Sequence, residues 1–329
     1  MWKIKDLEVN GKVVLAPMAG ITFSAYREFM SSFGTNLCVT EMVSDMGLIY
    51  GNDETATYID FQRIKDCPTG VQLFGHEPEN LKKAAKIALN ANSAVDFIDI
   101  NMGCPVPKVV NTGAGSALMK DPKLCGDIVR AVRSVTNKPI TAKIRLGWDN
   151  KSINFKEVIE ELENAGVSMI AIHARTRKEL YLGEPHFNLL KDLRKTMTVP
   201  LVISGNIYTL DDAINALEIT GADAVMIARG GMGNPFLVKQ ISHYLETGER
   251  LPNPSLKEQI EWCYQLGEMT AKEMGEYKGM RIYRAIAPKF FNGFKNSKAF
   301  KNKLVTEMTT LESLKQLLSE FAKENEIEF

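Results

Sequence analysis

Cys104 lies where a reactive side chain could act. It follows the apolar run at residues 97–100, at the start of a long loop that begins Asn101-Met102-Gly103-Cys104-Pro105. A structural cysteine would more naturally face the core within a strand, so the position predicts a reactive thiol or a proton donor. The other four cysteines are irregularly spaced and form no CxxC pair, so neither a metal site nor a disulfide framework is predicted.

Three further polar side chains interrupt or end apolar runs. Lys143 lies inside the run at residues 140–144. An ammonium group there is costly unless it meets an anion or reaches solvent at the rim of the fold. Gln72 needs hydrogen-bond partners, either a ligand edge or local backbone. His173 would alone be a core histidine, but its position one strand after Lys143, followed by Arg175 and Arg177, favours a functional role.

Turns rich in small residues follow three other apolar runs. Pro17-Met18-Ala19-Gly20 is either a tight turn or a place where backbone approaches a planar ring. Ser204-Gly205-Asn206 and Ala228-Arg229-Gly230-Gly231 come after the last two runs, where α/β barrels often build a phosphate site from backbone N–H groups. Arg229 could add a charge-assisted hydrogen bond there.

Eight short apolar runs alternate with amphipathic segments and must position these residues. The runs are nearly continuous in apolar residues, as in parallel strands covered on both faces; they span residues 13–16, 37–40, 70–74, 97–100, 140–144, 169–173, 201–204 and 224–228. Helical periodicity lies between them, at residues 77–90, 121–135, 155–164, 210–219 and 235–245. The pattern predicts an α/β fold, a (β/α)8 TIM barrel. A doubly wound sheet would favour a GxGxxG motif after the first strand, and none is present there.

The strand pattern ends before the last 75 residues. A polar linker containing Pro and Gly spans residues 247–254, and residues 256–274, 279–294 and 311–324 have helical periodicity. We therefore predict a barrel domain at residues 1–246 and an all-helical C-terminal domain at residues 255–329. A chain of 329 residues is long enough for both.

The composition is that of an ordinary globular protein, with 45% hydrophobic and 24% charged residues. No apolar run reaches the roughly 18 residues that a membrane helix needs, and the first residues lack the features of a signal peptide. We expect a cytoplasmic protein that acts as a monomer.

Seven motifs, in order along the chain, resemble those of the tRNA-dihydrouridine synthase family, most closely its bacterial branch. They are LAPMAG, VQLFG, DINMGCPVPKVVNTGAGSALMKDP, AKIRLGWD, IHARTR, ISGNI and ARGGMGNP, and they span residues 15–235. The GCP loop with its downstream Gly-Ser-Ala-Leu is the most specific of them. The resemblance implies a barrel that binds FMN, NADPH as reductant, and a helical domain that helps to bind tRNA.

The resemblance also implies roles for individual residues. Cys104 would donate the proton that completes the reduction of uridine to dihydrouridine. FMN contacts would fall on Pro17, Met18, Ala19, Gln72, Lys143, His173, Ser204, Gly205, Asn206, Ala228 and Arg229. Asn206 and Ala228 depart from the family's commoner aspartate and glycine, which puts the fine geometry of the phosphate site in question.

Two other functions remain possible from the sequence. A dihydroorotate dehydrogenase-like flavoprotein would share the barrel but would need neither the helical tail nor the arginines of IHARTR. A tRNA-binding protein without catalysis would not need Cys104, Lys143 and His173.

Basic residues are concentrated in one segment of a chain whose net charge is zero. Residues 278–303 contain eight basic residues and no acidic one, with aromatic residues interleaved at spacings that suit a buried stripe. The basic side chains are either a solvated surface or contacts to phosphates. We predict RNA contacts at Lys278, Arg281, Arg284 and Lys289, together with Arg145, Arg175 and Arg177 near the barrel mouth.

Overall fold

The computed structural model describes all residues from 1 to 329. Eight parallel strands form a closed barrel in chain order: β3 (Val13–Leu15), β4 (Leu37–Ser44), β5 (Thr69–Phe74), β6 (Phe97–Asn101), β7 (Ile140–Arg145), β8 (Met169–His173), β9 (Leu201–Ser204) and β10 (Ala224–Ile227). The last strand, β10, pairs with the first, β3, and closes the barrel. The predicted (β/α)8 barrel and all eight of its strands are confirmed.

A short hairpin precedes the barrel and was not predicted. Its strands β1 (Trp2–Ile4) and β2 (Leu7–Val9) pair antiparallel. Ile4 and Val9 are fully buried in the cluster of apolar side chains that fills the barrel. Strands of three residues are too short to show an alternating pattern in the sequence, which explains the omission.

Alternate strand residues fill the interior of the barrel. The apolar cluster takes residues two apart on several strands, such as Met169 and Ala171, or Ala224 and Met226. Gly70 makes room for the largest member, because a Cβ on Gly70 would lie 2.2 Å from the ring of Phe97. Interiors of this density tolerate no additional methyl group without rearrangement.

Seven α-helices cover the barrel, and the predicted periodicity accounts for the four longest of them. They are α2 (Asp45–Ile49), α3 (Asp53–Thr57), α4 (Pro78–Ala91), α5 (Pro107–Val110), α6 (Pro122–Arg133), α7 (Phe155–Ala165) and α8 (Leu210–Thr220), with 3-10 helices at Gly115–Lys120, Phe187–Leu190 and Leu193–Thr196. The Asp121 side chain accepts from the Leu124 backbone amide and caps α6, and Gly166 and Gly221 end α7 and α8 in the left-handed conformation.

The helical region contains α1 (Ser24–Ser31), the 3-10 helix Arg229–Gly231, α9 (Phe236–Thr247), α10 (Leu256–Met274), α11 (Glu276–Tyr283), the 3-10 helix Ala287–Phe291, α12 (Ser297–Thr306) and α13 (Leu311–Glu324). The helix predicted at residues 279–294 is wrong in its extent. It ends at Tyr283, and Pro288 lies in the 3-10 helix that follows, since proline has no amide to continue an α-helix. The sequence also missed α1 and α12.

Contacts divide the chain into two units at other places than the boundary predicted between residues 246 and 255. One unit comprises residues 1–19 and 35–228, and the other comprises residues 20–34 and 229–329. The second unit includes α1, although α1 lies between barrel strands in the sequence. The Glu273 side chain of α10 accepts from the backbone amides of Ser24 and Ala25 in α1, at 3.1 and 2.5 Å. None of the helices is long and apolar enough to cross a bilayer.

Candidate active site

Polarity increases along the inward-facing positions of the barrel strands. On β6 the inward residues change from Phe97 to Asp99 and then to Asn101, and on β8 from Met169 to His173. Parallel strands place their carboxyl ends at the same end of the barrel, so these polar residues meet at its mouth.

Strand register brings several predicted site residues into one neighbourhood. Asn101 pairs with Lys143, Arg145 pairs with His173, and His173 pairs with Ser204. Four consecutive strands, β6 to β9, therefore contribute polar groups side by side.

The loop after β6 holds Cys104 half-buried next to this group. Its backbone carbonyl accepts from both the amide and the hydroxyl of Ser116, at 3.0 and 2.9 Å. Gly115 permits this approach, because its φ is +61° and a Cβ there would lie 2.8 Å from the Cys104 carbonyl oxygen. The Gly-Ser pair in the downstream part of the loop thus fixes the position of the cysteine.

Burial raises the pKa of the Cys104 thiol above its usual value. The Val106 backbone amide and the charges of Arg145 and Lys143 oppose this effect but do not cancel it. A thiol with a raised pKa keeps its proton at neutral pH, which suits a proton donor rather than a nucleophile.

Lys143 is half-buried and points into the polar group at the barrel mouth. Burial, assisted by the like charge of Arg145, lowers its pKa to about 8, while Asp99 and Cys104 act in the opposite direction. Burial also raises the pKa of the Asp99 carboxyl, and Lys143 opposes that shift. An additional anion near Lys143 would favour its charged form.

Gln72 belongs to a hydrogen-bonded row of side chains. Its Nε2 donates to Asp99 at 2.7 Å, and its Oε1 accepts from Asn101 Nδ2 at 2.8 Å. The Asn101 Oδ1 in turn accepts from the backbone amides of Gly103 and Cys104, at 3.2 and 2.9 Å. Sequence reasoning did not single out Asp99 and Asn101, although their spacing of two on a strand that carries Cys104 indicates an inward polar face.

Two of the predicted RNA contacts, Arg145 and Arg175, have hydrogen-bond partners within the protein. Arg145 is 2% exposed and donates to the carbonyls of Gly103, Thr176 and Leu180 at 2.8 to 2.9 Å. Its guanidinium group is buried and binds backbone, which leaves it little surface for a phosphate, and its RNA contact stays a prediction.

Arg175 has a similar role. It is fully buried, donates to the carbonyls of Leu182 and Gly183, and lies 3.2 Å from Nε2 of His173. The phosphate contact stays a prediction for this residue too. Arg177 is half-buried, and its guanidinium carbon lies 4.6 Å from the centre of the Trp148 ring.

The two turns predicted to bind phosphate have backbones that differ from regular strand. Gly205 has a φ of +139°, and a Cβ there would lie 2.9 Å from Cβ of Pro185. Asn206 has a φ of +46°, a conformation that asparagine tolerates better than most residues. Pro17, Met18 and Ala228 are partly exposed and Ala19 is exposed, so each has surface that a ligand could reach. Arg229 is exposed and begins the 3-10 helix Arg229–Gly231.

Comparison of the chain with known proteins identifies its family. The family described as Dihydrouridine synthase (Dus) matches residues 14–326. The chain belongs to the dihydrouridine synthase family. A probable tRNA-dihydrouridine synthase of Rickettsia conorii is 34% identical over 321 residues, which are 98% of this chain and 96% of the relative.

Two further relatives have more specific names. A tRNA-dihydrouridine synthase B of Shewanella oneidensis is 35% identical over 86% of this chain and 87% of its own length. The protein of the same name in Xanthomonas axonopodis is 38% identical over 86% of this chain and 84% of its own length. The predicted family is confirmed, and the chain is an enzyme of that family.

The basic segment of the helical region keeps most of its charges in solvent. Lys278, Arg281 and Lys289 are exposed, whereas Arg284 is half-buried and donates to the Met308 carbonyl at 2.8 Å. Four of the five interleaved aromatic residues, Tyr283, Phe290, Phe291 and Phe300, are buried, as predicted, and Phe294 is half-buried.

A shallow depression of about 1000 Å³ lies on this region, between the 3-10 helix Ala287–Phe291 and α12. Three lysines and three asparagines supply most of its lining: Lys289, Lys298, Lys301, Asn292, Asn296 and Asn302. No acidic side chain lines it, so the depression is a cationic surface.

Proposed function

We propose that this enzyme reduces the C5–C6 double bond of uridine in tRNA to 5,6-dihydrouridine, with FMN as its bound cofactor and NADPH as reductant. The proposal rests on one observation above all. A half-buried cysteine whose thiol keeps its proton lies near a half-buried lysine whose pKa is lowered, at the mouth of the barrel of a dihydrouridine synthase family member.

The residues of the barrel mouth suit FMN. Lys143 is a half-buried cation that an anionic ring would stabilise, and the buried Gln72 and His173 supply polar groups from inward positions. The Ser204-Gly205-Asn206 turn follows β9, and glycine allows a phosphate to approach its backbone. We propose that these residues, with Pro17, Met18, Ala19 and Ala228, hold the cofactor, and Arg229 stays a predicted contact. FMN, when bound, supplies the hydride that NADPH provides and that adds to C6 of the uracil ring.

Cys104 completes the reduction by supplying a proton. Addition of hydride at C6 places negative charge on C5 and the C4 carbonyl, so C5 must gain a proton. The thiol of Cys104 gives up this proton, and the resulting thiolate recovers one from water. Arg145 and Lys143 both favour the thiolate electrostatically, so they stabilise the product of the transfer.

The uracil base must unstack from its neighbours in the tRNA before it can react. A uridine within folded tRNA reaches a barrel mouth only when its base is turned out of the helix, which costs a few kcal/mol of lost stacking. Contacts to phosphates elsewhere on the tRNA supply the compensating free energy. We propose that the exposed Lys278, Arg281 and Lys289, together with Lys298 and Lys301 of the depression, make such contacts in the helical region.

The test is conversion of a tRNA transcript that carries no modifications. Flavin-loaded enzyme, NADPH and transcript are incubated, and nucleosides are analysed by mass spectrometry for a mass gain of two hydrogens on uridine. Formation of dihydrouridine at defined positions supports the proposal, and parallel reactions with NADH establish the preferred reductant. A protein that binds FMN and is reduced by NADPH but leaves every uridine unchanged would refute it.

A further inference from the structure

A buried polar layer lies beneath Cys104, and the proposed chemistry does not account for all of it. Gln72, Asp99 and Thr141 occupy paired positions on β5, β6 and β7. They are 1%, 2% and 0% exposed, respectively. Asp99 lies between the other two, accepting from Gln72 Nε2 at 2.7 Å and from the Thr141 hydroxyl at 2.5 Å. A carboxyl group this deep in a barrel needs a reason, because burial disfavours its charge.

The orientation of each amide in the row is dictated from the cysteine end. The backbone amides of Gly103 and Cys104 can only donate, so they require the oxygen of Asn101 to face them. The Asn101 NH2 group then faces Gln72, so Gln72 must place its side-chain oxygen there to accept the hydrogen bond. The Gln72 NH2 group is left facing Asp99. An acceptor is therefore required at position 99, and a carboxylate is always an acceptor.

We infer that Asp99 is a positioning residue, which acts through Gln72 and Asn101 to hold the backbone of Cys104 in place for proton transfer. The row consists of hydrogen bonds of 2.7, 2.8 and 2.9 Å that lead from the middle of β6 to the reactive loop. Asp99 itself does not touch Cys104. The inference rests on the proposed function of Cys104, and its structural part can be measured without any reaction.

Loss of the acceptor should propagate along the row. With leucine at position 99, the Gln72 NH2 group has no partner in the barrel interior, and nothing holds this end of the side chain in the row. If Gln72 moves toward other partners, its bond to Asn101 is lost, so Asn101 loses its fixed orientation and its hold on the amides of Gly103 and Cys104 weakens. Buried hydrogen bonds of this kind are worth about a factor of ten in an equilibrium constant.

Three variants separate orientation from charge and from general damage. Asp99→Leu removes the acceptor. Asp99→Asn removes the charge, but its side chain can still present its oxygen to Gln72 and its NH2 to the Thr141 hydroxyl. This variant should therefore keep the row and the position of Cys104 intact. Thr141→Val removes the other donor to Asp99 and leaves the row intact, so it serves as a matched control for loss of one hydrogen bond in the same layer.

The first measurement is hydrogen exchange of the Gly103 and Cys104 amides in the flavin-loaded protein. We expect exchange at least about tenfold faster in Asp99→Leu than in the wild type, and near wild-type rates in Asp99→Asn and Thr141→Val. Unchanged exchange in Asp99→Leu would overturn the inference. If that variant does not fold, Gln72→Met interrupts the same row, and unchanged exchange there would overturn it equally.

The second measurement is the single-turnover rate of tRNA reduction by enzyme whose flavin is already reduced. We expect about a tenfold loss in Asp99→Leu, with tRNA affinity unchanged and the rate restored in Asp99→Asn. Equal loss in both variants would mean that charge, not orientation, matters, and would overturn the positioning role. A wild-type protein that reduces no tRNA would refute the proposed function, whereas the exchange result would still decide whether Asp99 orders the loop.

Discussion

The barrel and the helical region use their basic residues in opposite ways. Arg145 and Arg175 are buried at the barrel mouth and donate to the carbonyls of neighbouring loops. Lys289 and Lys298 of the helical region are exposed and line a depression without acidic residues. Both groups look alike in the sequence, as positive charges near a nucleic-acid substrate. The difference shows that a basic residue is available to phosphate only if local backbone has not already taken its donors.

The largest effect should come from the barrel arginines and should appear in stability. Arg175→Met leaves the carbonyls of Leu182 and Gly183 without this donor, and we expect the free energy of unfolding to fall by about 3 kcal/mol. Urea denaturation measures it. In the folded fraction, the salt dependence of tRNA binding should match the wild type. A variant of normal stability with a flatter salt dependence would show that Arg175 contacts phosphate after all.

Loss of basic residues from the helical region should change tRNA binding and not stability. Replacing Lys289, Lys298 and Lys301 together by alanine should leave the free energy of unfolding nearly unchanged, because all three chains are at least partly exposed. Their phosphate contacts should disappear, so the slope of log affinity against log salt should fall by about two to three units. The measurement is tRNA affinity across a salt titration.

A matched variant controls for the loss of three charges. Lys83, Lys86 and Lys123 are exposed lysines on α4 and α6 of the barrel unit, and their replacement by alanine should change the slope little. Equal slopes for the two triple variants would place the tRNA contact outside the depression.

Lys143 should make the stability of the protein depend on pH. Its pKa is about 8 in the folded protein and lies below the value of the unfolded chain, near 10.5. Between these values the unfolded state binds more protons, so this group makes the cofactor-free protein more stable as pH rises from about 8 to 10.5. Unfolding free energies of the wild type and Lys143→Met, compared across that range, isolate the contribution. Parallel curves for the two proteins would contradict a buried, shifted lysine.

The smallest effect concerns the turn after β9. Asn206 has a positive φ, so Asn206→Ala should cost about 1 kcal/mol of stability, whereas Asn206→Gly should cost less. Thermal denaturation of both variants gives the comparison. A larger cost for glycine than for alanine would mean that the asparagine side chain, not its backbone conformation, is what the turn requires.

The sequence predicted those parts of the molecule whose pattern follows from burial alone or from one backbone requirement. All eight barrel strands were found because strands covered on both faces are continuously apolar, as at residues 169–173. The glycines that end α7 and α8 were found because a left-handed residue has few alternatives to glycine. The hairpin β1–β2 was missed because its strands have three residues each.

The directions of polar side chains could not be predicted in the same way. Arg145 turns inward because loops distant in the sequence bring the carbonyls of Gly103 and Leu180 to it. Arg175 turns inward because the loop that follows it folds back and brings the Gly183 carbonyl to it. Asp99 was overlooked because its proposed role depends on hydrogen bonds from Gln72 and Thr141, which lie on other strands. Hydrogen bonds between side chains on different strands depend on strand order and register, which cannot be predicted from a single sequence.

The central claim is that Cys104 protonates uridine at the mouth of the barrel. Its most direct test is single-turnover oxidation of the reduced flavin by tRNA in Cys104→Ala. The account predicts normal FMN content and normal flavin reduction by NADPH, with tRNA reduction slower by about 10²- to 10⁴-fold, the usual contribution of a general acid. A wild-type rate of tRNA reduction in this variant would contradict it.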